Sequence, residues 1–322
     1  MPPTVDDLFA TPDHYLHSFD GDAAIFMPMD RAAYYRSIFL DQRISPAGAQ
    51  TIVLPVRTLV QRPSPAASTA WIFHMAHCGS TLLARALDDP TASLVLREPF
   101  ALRQLGLRPD TERLDLVLAM LGKRYRADAP TLVKANVPVN FLLPQLAQAD
   151  PGARAIFLYL PLRPYLLAIL RSEAHRIWVR NVTGQLKPYL GDLSSAPDAE
   201  RAATLWLTQI EAFARAIAAM PNAAALNAER LFADPLQVLQ AATRHFGIPI
   251  SDEALEATVV GPLFSTHSKN PSIPFDNSAR IALAATTERQ FEAEIAAAEA
   301  WIARRGERPS LDARFGQREL VH

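Results

Sequence analysis

From Trp71 to Leu87 the chain reads W-I-F-H-M-A-H-C-G-S-T-L-L-A-R-A-L, an order of residue types suited to holding an oxyanion. The apolar run Trp71, Ile72, Phe73 predicts a buried strand. The small-residue turn His77, Cys78, Gly79, Ser80, Thr81 follows, and Leu82, Leu83, Ala86 and Leu87 then recur at helical spacing. A helix start leaves backbone N–H groups without intrahelical partners and carries partial positive charge, so a phosphate or sulfate fits there. Gly79 lets the backbone approach the anion closely, and Ser80 and Thr81 add hydroxyl donors. A triphosphate-binding loop reads G-x-x-x-x-G-K-[ST]. Aligned on Gly79, this chain has His74 for the first glycine and Ser80 for the lysine. That disfavours ordinary ATP or GTP chemistry and leaves a phosphate or sulfate group as the ligand.

Other chemically apt residues fall where short strands are expected to end. Glu98, in V-L-R-E-P-F, reads either as a general base taking a proton from an attacking hydroxyl or as the partner of Arg97, Arg103 or Arg85. Lys134 and Arg163 follow two further strands and supply positive charge, or else are surface residues. His74 and His77 flank the loop, and His77 offers a donor or a pH-dependent charge. Cys78 is a nucleophile candidate because a helix start lowers a thiol pKa, with a small packing residue as the commoner reading. His267, Ser268 and Lys269, with Arg280 beyond, either clamp a second phosphate or form a solvated surface loop. One cysteine and two nearby histidines give no zinc pattern, so no metal is expected. No G-x-S-x-G is present, so an esterase elbow is not supported.

These residues need a scaffold. The chain has 322 residues, 49% of them hydrophobic, enough for one large α/β domain with a substantial core. Its formal net charge of −1 gives no general attraction to nucleic acid or membranes. A single cysteine excludes an internal disulfide and suits a reducing, cytoplasmic setting. The acidic start M-P-P-T-V-D-D is no signal peptide. The most apolar window, 155–170, is broken by Pro161, Arg163 and Pro164, so no membrane span is expected.

Residues 1–50 are mixed, with a helix expected near 31–40. A strand is expected over 51–61, at a sheet edge because of Pro55, then a loop over 61–68. Short strands follow at 71–73, 93–96, 131–134, 155–160 and 223–226. Helices are expected near 111–126, 139–149, 165–180, 198–219, 235–246 and 287–304, and a long polar loop over 265–278. Strands alternating with helices predict βαβ units and a doubly wound sheet.

Together, H-M-A-H-C-G-S-T-L-L-A-R-A-L, L-R-E-P, V-K-A-N-V-P-V-N, P-G-A-R-A-I-F-L-Y-L-P-L-R-P and A-E-R-L-F-A-D-P-L-Q-V-L-Q-A-A-T-R-H-F-G-I-P resemble sulfotransferases that use 3′-phosphoadenosine 5′-phosphosulfate (PAPS). The likeness is to their bacterial and tyrosylprotein branch, whose phosphosulfate loop reads P-R-S-G-[ST]-T-L-[LM]-x-R, and it spans about 71–250. Ala76, His77 and Cys78 stand for Pro, Arg and Ser. The resemblance implies a single domain with a three-layer αβα P-loop-type fold: a central, mostly parallel sheet with added helices, an N-terminal extension over 1–50, a core over 51–250 and a C-terminal loop and helix over 251–322. It implies PAPS held by His77, Cys78, Gly79, Ser80 and Thr81, Glu98 as base, Lys134 at the leaving group with His77 assisting, and Arg163 with Ser172 on the nucleotide 3′-phosphate. Arg163 lies two or three residues beyond the family's place, and Ser172 follows it by nine rather than eight. The Arg-Lys-Gly segment of cytosolic members is absent, and His267, Ser268 and Lys269 stand in its stead. The acceptor would be a small molecule or a peptide. The oligomeric state is open. The alternatives are a P-loop kinase or NTPase and a non-catalytic nucleotide-binding protein of the same fold.

Overall fold

Four apolar runs, A-W-I-F-H, L-V-L-R, T-L-V-K and A-I-F-L-Y, are buried along their whole length. That is the pattern of strands covered on both faces. In the computed structural model, which describes residues 4–61, 68–305 and 310–322, they build the central sheet. Chain order begins elsewhere, with β1 (His14–Asp20), β2 (Ala23–Pro28) and β3 (Ile52–Pro55), which form a separate antiparallel sheet in that order. The central sheet comprises β4 (Ala70–His74), β5 (Leu94–Arg97), β6 (Thr131–Lys134), β7 (Ala155–Tyr159) and β8 (Ala223–Asn227). Its strands lie in the order β5-β6-β4-β7-β8 and all neighbours are parallel. Helices cover both faces, giving the three-layer αβα arrangement. A two-stranded hairpin, β9 (Thr266–His267) and β10 (Asn270–Pro274), stands apart. One cluster of buried apolar side chains includes residues from Leu8 to Val321.

The strand order positions the site. After β4 the chain moves to the edge strand β5, returns to β6, then crosses past β4 to β7 and β8. The connections leaving β4 and β6 therefore run towards opposite edges. In an open parallel sheet that switch opens a crevice at the carboxyl ends of the two strands, where ligands bind. Lys134, the last residue of β6, pairs in register with Ile72 of β4 on one side and Arg97 of β5 on the other. His74, Lys134 and Glu98 thus come to the same end of three neighbouring strands.

Several elements differ from the sequence expectation. The 51–61 run is a strand only as far as Pro55; a helix, Val56–Val60, starts at once. The strand does lie at a sheet edge, but of the antiparallel sheet. The helix expected near 111–126 is the second of two, Phe100–Leu107 and Thr111–Leu121. The 165–180 segment is also two helices, Leu162–Leu170 and Glu173–Gln185, and Ser172 caps the second by accepting from His175 N–H. The C-terminal helix begins at Asn277, earlier than expected, where the Asp276 side chain caps it. The loop expected over 61–68 lies, from 62 to 67, outside the described residues.

Arg97, the last residue of β5, ties the central sheet to the segment between β2 and β3. Its side chain is 2% exposed, pairs with Asp88, and donates to the backbone carbonyls of Tyr34, Tyr35, Ser37 and Ile38. A buried guanidinium is tolerated only when its charge and donors are matched. Matching it fixes the segment that presents Phe39 and Arg43 to the crevice.

Candidate functional site

Between β4 and the helix Ser80–Ala86 the chain makes a tight loop with two residues in the left-handed region, His77 at φ 60° and Gly79 at φ 82°. A Cβ on Gly79 would stand 2.7 Å from Phe232 Cζ, so any other residue would meet the left-handed backbone and also have to displace that ring. No side chain caps the start of this helix. Ser80 and Thr81 are buried there and line the cavity. Cys78 is not disposed to react: its Sγ–H donates to Met75 O at 2.8 Å, and burial pushes the thiol up to about 11. Cys78 can serve an anion only through its backbone.

Lys134 is fully buried and donates to Glu98 Oε1, forming an ion pair on the cavity wall. Glu98 itself has φ 57°; His77 and Glu98 are the non-glycine residues with positive φ among those described, and both line the cavity. Holding a β-carbon in this region costs about 1–2 kcal/mol and points to a role at the site. The hydrogen bond from Glu98 N–H to Lys134 O, 2.8 Å, locks the turn. Burial alone would raise the Glu98 carboxyl. The charge of Lys134, with further help from His74 and Lys269, overcomes this and holds it at about 2. His74 lies alongside, its Nε2 4.0 Å from Glu98 Oε1 and its Nδ1 2.7 Å from Met75 O. Burial first, then Lys134, push its imidazole down to about 3, so it is neutral at physiological pH.

A second group closes the other side of the loop. The His77 ring packs at a 33° tilt against His175 with centroids 3.8 Å apart and meets Trp178 edge-on. Burial, followed by the charges of Lys269, His175 and Arg171, pushes His77 well below its ordinary value. His175 falls to about 4 for similar reasons, with burial leading. Arg171 lines the cavity and has no hydrogen bond or ion pair to any described side chain, while burial lowers its pKa. Arg85 Nη1 donates to Ser268 O at 2.9 Å, tying the turn of the β9–β10 hairpin to the loop helix. Lys269, the next residue, lines the cavity, where its charge reaches His74, His77 and Glu98.

The resulting cavity is about 740 Å³, in the range that takes a nucleotide-sized ligand. It brings together His77, Gly79, Ser80, Thr81, Glu98, Lys134 and the hairpin residues His267, Ser268 and Lys269. Arg163 and Ser172 are not on its wall. Arg163 instead reaches the C-terminal helix, with Glu288, Glu292 and Glu299 all within 3 Å of its guanidinium. Those three carboxylates hold its pKa above the ordinary value. Arg280 lines the cavity but is paired bidentately with Glu229, 2.9 Å on both arms. The residues sequence reasoning missed, Arg171, His175 and Trp178, come from the helix pair around Ser172, and no motif marks them. Among the described residues, no group of three or more His, Cys, Asp or Glu side chains is arranged to hold a metal ion, and no helix is long and apolar enough to cross a membrane.

No protein-family model matches the sequence, and no curated protein matches it at a significant level.

Proposed function

We propose that this protein is a sulfotransferase, moving a sulfuryl group from PAPS to an acceptor hydroxyl or amine. The observation that carries the reading is the buried Lys134, ion-paired to Glu98 at the ends of neighbouring strands, on the wall of the cavity into which the glycine loop opens. The donor set suits such a nucleotide. The loop offers N–H groups and two buried hydroxyls, Lys134 and Lys269 supply charge, and Arg171 is a cation without a protein partner among the described residues. PAPS, when bound, supplies a sulfuryl group activated by its phosphate leaving group.

Each side chain then has a task. The loop N–H groups and Thr81 hold the phosphosulfate end and fix the line of attack. Lys134 neutralises charge gathering on the departing phosphate oxygen. Glu98 receives the acceptor's proton. At a pKa of about 2 it is a weak base. That value depends on Lys134, however, and an anion beside Lys134 competes for the same charge. Glu98 therefore gains basicity when the site is loaded. Lys269 and Arg171 face the remaining phosphate charge, in place of the Arg163 and Ser172 suggested by the sequence resemblance.

Thermal unfolding of the protein with 3′,5′-bisphosphoadenosine, ATP and GTP tests the reading. Bisphosphate at a hundred times its Kd adds about 2.7 kcal/mol of stability. Stabilisation by ATP or GTP alone would overturn the assignment and favour a kinase or NTPase. Bisphosphate binding without sulfuryl transfer to any acceptor would favour a non-catalytic nucleotide-binding protein.

A further inference from the structure

Two buried hydrogen-bond acceptors on one wall of the cavity have no partner: His74 Nε2 and Asn136 Oδ1. Both residues are more than nine-tenths buried, with His74 at 5% and Asn136 at 7% exposure. The tautomer of His74 is fixed by its surroundings. Nδ1 lies 2.7 Å from the Met75 carbonyl, which can only accept, so Nδ1 carries the proton and Nε2 presents a lone pair. Glu98 Oε1, 4.0 Å from Nε2, is another acceptor and cannot satisfy it. Glu98 Oε2 accepts nothing from the described residues, because Lys134 donates to Oε1. Buried polar groups in native proteins are overwhelmingly matched, so two orphans on one cavity wall call for a ligand. Unmatched lone pairs on that wall call for X–H donors, whereas the wall with Lys134 and Lys269 calls for an anion.

We propose that the acceptor substrate carries a donor-rich reacting group, a primary amine or a hydroxyl beside a second hydroxyl, one X–H of which is matched by Glu98 and the other by His74 Nε2, with Asn136 Oδ1 open to a further hydroxyl of a polyol. This rests on the sulfuryl-transfer reading above. In the step, the lone pair of the free-base amine, which has left its ammonium proton in solvent, or of the hydroxyl forms a bond to sulfur. The bond from sulfur to the bridging phosphate oxygen breaks, and its electron pair leaves on that oxygen beside Lys134. One X–H proton passes to Glu98, while a second X–H donates to His74 Nε2 throughout. An isolated phenol or alcohol has a single X–H, which the reaction consumes, and leaves His74 unmatched. Discrimination against such acceptors is about 10- to 100-fold.

The test uses the full-length protein, 35S-labelled PAPS and four acceptors: benzylamine, myo-inositol, benzyl alcohol and phenol. Initial rates are read beside the Tm of the protein loaded with 3′,5′-bisphosphoadenosine as each acceptor is added. The expected result is that benzylamine or myo-inositol exceeds both single-donor compounds by at least tenfold in kcat/KM, or in affinity for the loaded protein. Benzylamine alone identifies an amine acceptor, and myo-inositol alone a polyol. His74→Phe should erase the preference, and Asn136→Leu should reduce that for myo-inositol, while bisphosphate still raises Tm, which shows that the variants fold. Equal or better performance by phenol or benzyl alcohol overturns the inference. So does a loaded protein that responds to neither donor-rich probe, or a preference intact in both variants. If bisphosphate itself fails to raise Tm, the sulfuryl-transfer reading falls first, before any acceptor is added.

Discussion

Lys134 and Glu98 are bonded twice, side chain to side chain and from Glu98 N–H to Lys134 O at 2.8 Å. One ion pair therefore sets both the turn after β5 and the charge at the end of β6. The two partners should fail differently. Lys134→Met leaves the Glu98 carboxylate without its counter-charge and is expected to cost about 3 kcal/mol in urea unfolding. It should also weaken bisphosphate binding by more than tenfold. Glu98→Gln keeps an oxygen to accept from Lys134 and removes the charge that competes with the anion, so it should bind bisphosphate at least as tightly as the parent. Its kcat should fall by about 10²–10⁴, the usual worth of a general base. Unchanged turnover in Glu98→Gln would remove Glu98 as the base.

Stability should depend on pH through the buried histidines. His74, His77 and His175 all have folded-state pKa values below the ordinary 6.5. Their contribution is fully present above pH 6.5 and is lost as pH falls towards their folded values, because the unfolded chain takes up protons that the folded chain refuses. Glu98 acts in a separate, lower window, since its contribution is lost only below its ordinary value of 4.5. Between pH 6.5 and 4.5 the fall is due to these three together with His17, His245 and His267, which burial also lowers, with His74 contributing a slope of about 1.4 kcal/mol per pH unit at most. Urea midpoints across this range should drop steadily, and His74→Phe should lessen the slope without abolishing it. Bisphosphate should counter the drop, because a bound anion favours protonation of His77 and His175. A flat profile in the parent protein would contradict the burial of these rings.

The loop, Glu98 and Lys134 were legible because their signals are local: a small-residue turn, a strand end, a motif. The five central strands were legible because burial on both faces leaves unbroken apolar runs. The β1–β2 hairpin was not, because His17 and Ser18 are buried beside Tyr15, Leu16 and Phe19, which hides the alternation that marks a strand. Arg163 misled for a tertiary reason. Its place near a strand end is right, but the C-terminal helix brings three carboxylates to it, and nothing local announces that helix as its neighbour. Arg171 and His175 became visible only once the break at Ser172 turned the chain back over the loop.

That contrast gives a direct comparison. Arg163 is about one-third exposed and its carboxylates are partly exposed, so solvent screens the cluster and Arg163→Ala should lower Tm only slightly. It should leave bisphosphate affinity within twofold of the parent. Arg171→Ala removes a cation that faces the cavity without a protein partner among the described residues, and should weaken bisphosphate binding tenfold or more while leaving Tm of the free protein unchanged or higher. Isothermal titration of both variants decides the assignment. The reverse ranking would restore Arg163 to the nucleotide site.

Gly79 is constrained twice, by φ 82° and by Phe232 Cζ at 2.7 Å from where a Cβ would lie. The two constraints can be separated. Gly79→Ala meets both and should lower stability by more than the 1–2 kcal/mol that a left-handed non-glycine residue costs. Pairing Gly79→Ala with Phe232→Ala removes the clash but not the backbone cost. Relative to Phe232→Ala alone, Gly79→Ala should then cost only about 1–2 kcal/mol, the conformational part. Bisphosphate binding should be impaired in both variants that carry Gly79→Ala, since the strained turn shifts the N–H groups that follow it. Urea unfolding of the four proteins closes this double-mutant cycle, and a Gly79→Ala penalty unchanged by the loss of Phe232 would show that the ring gives way and that conformation alone demands glycine.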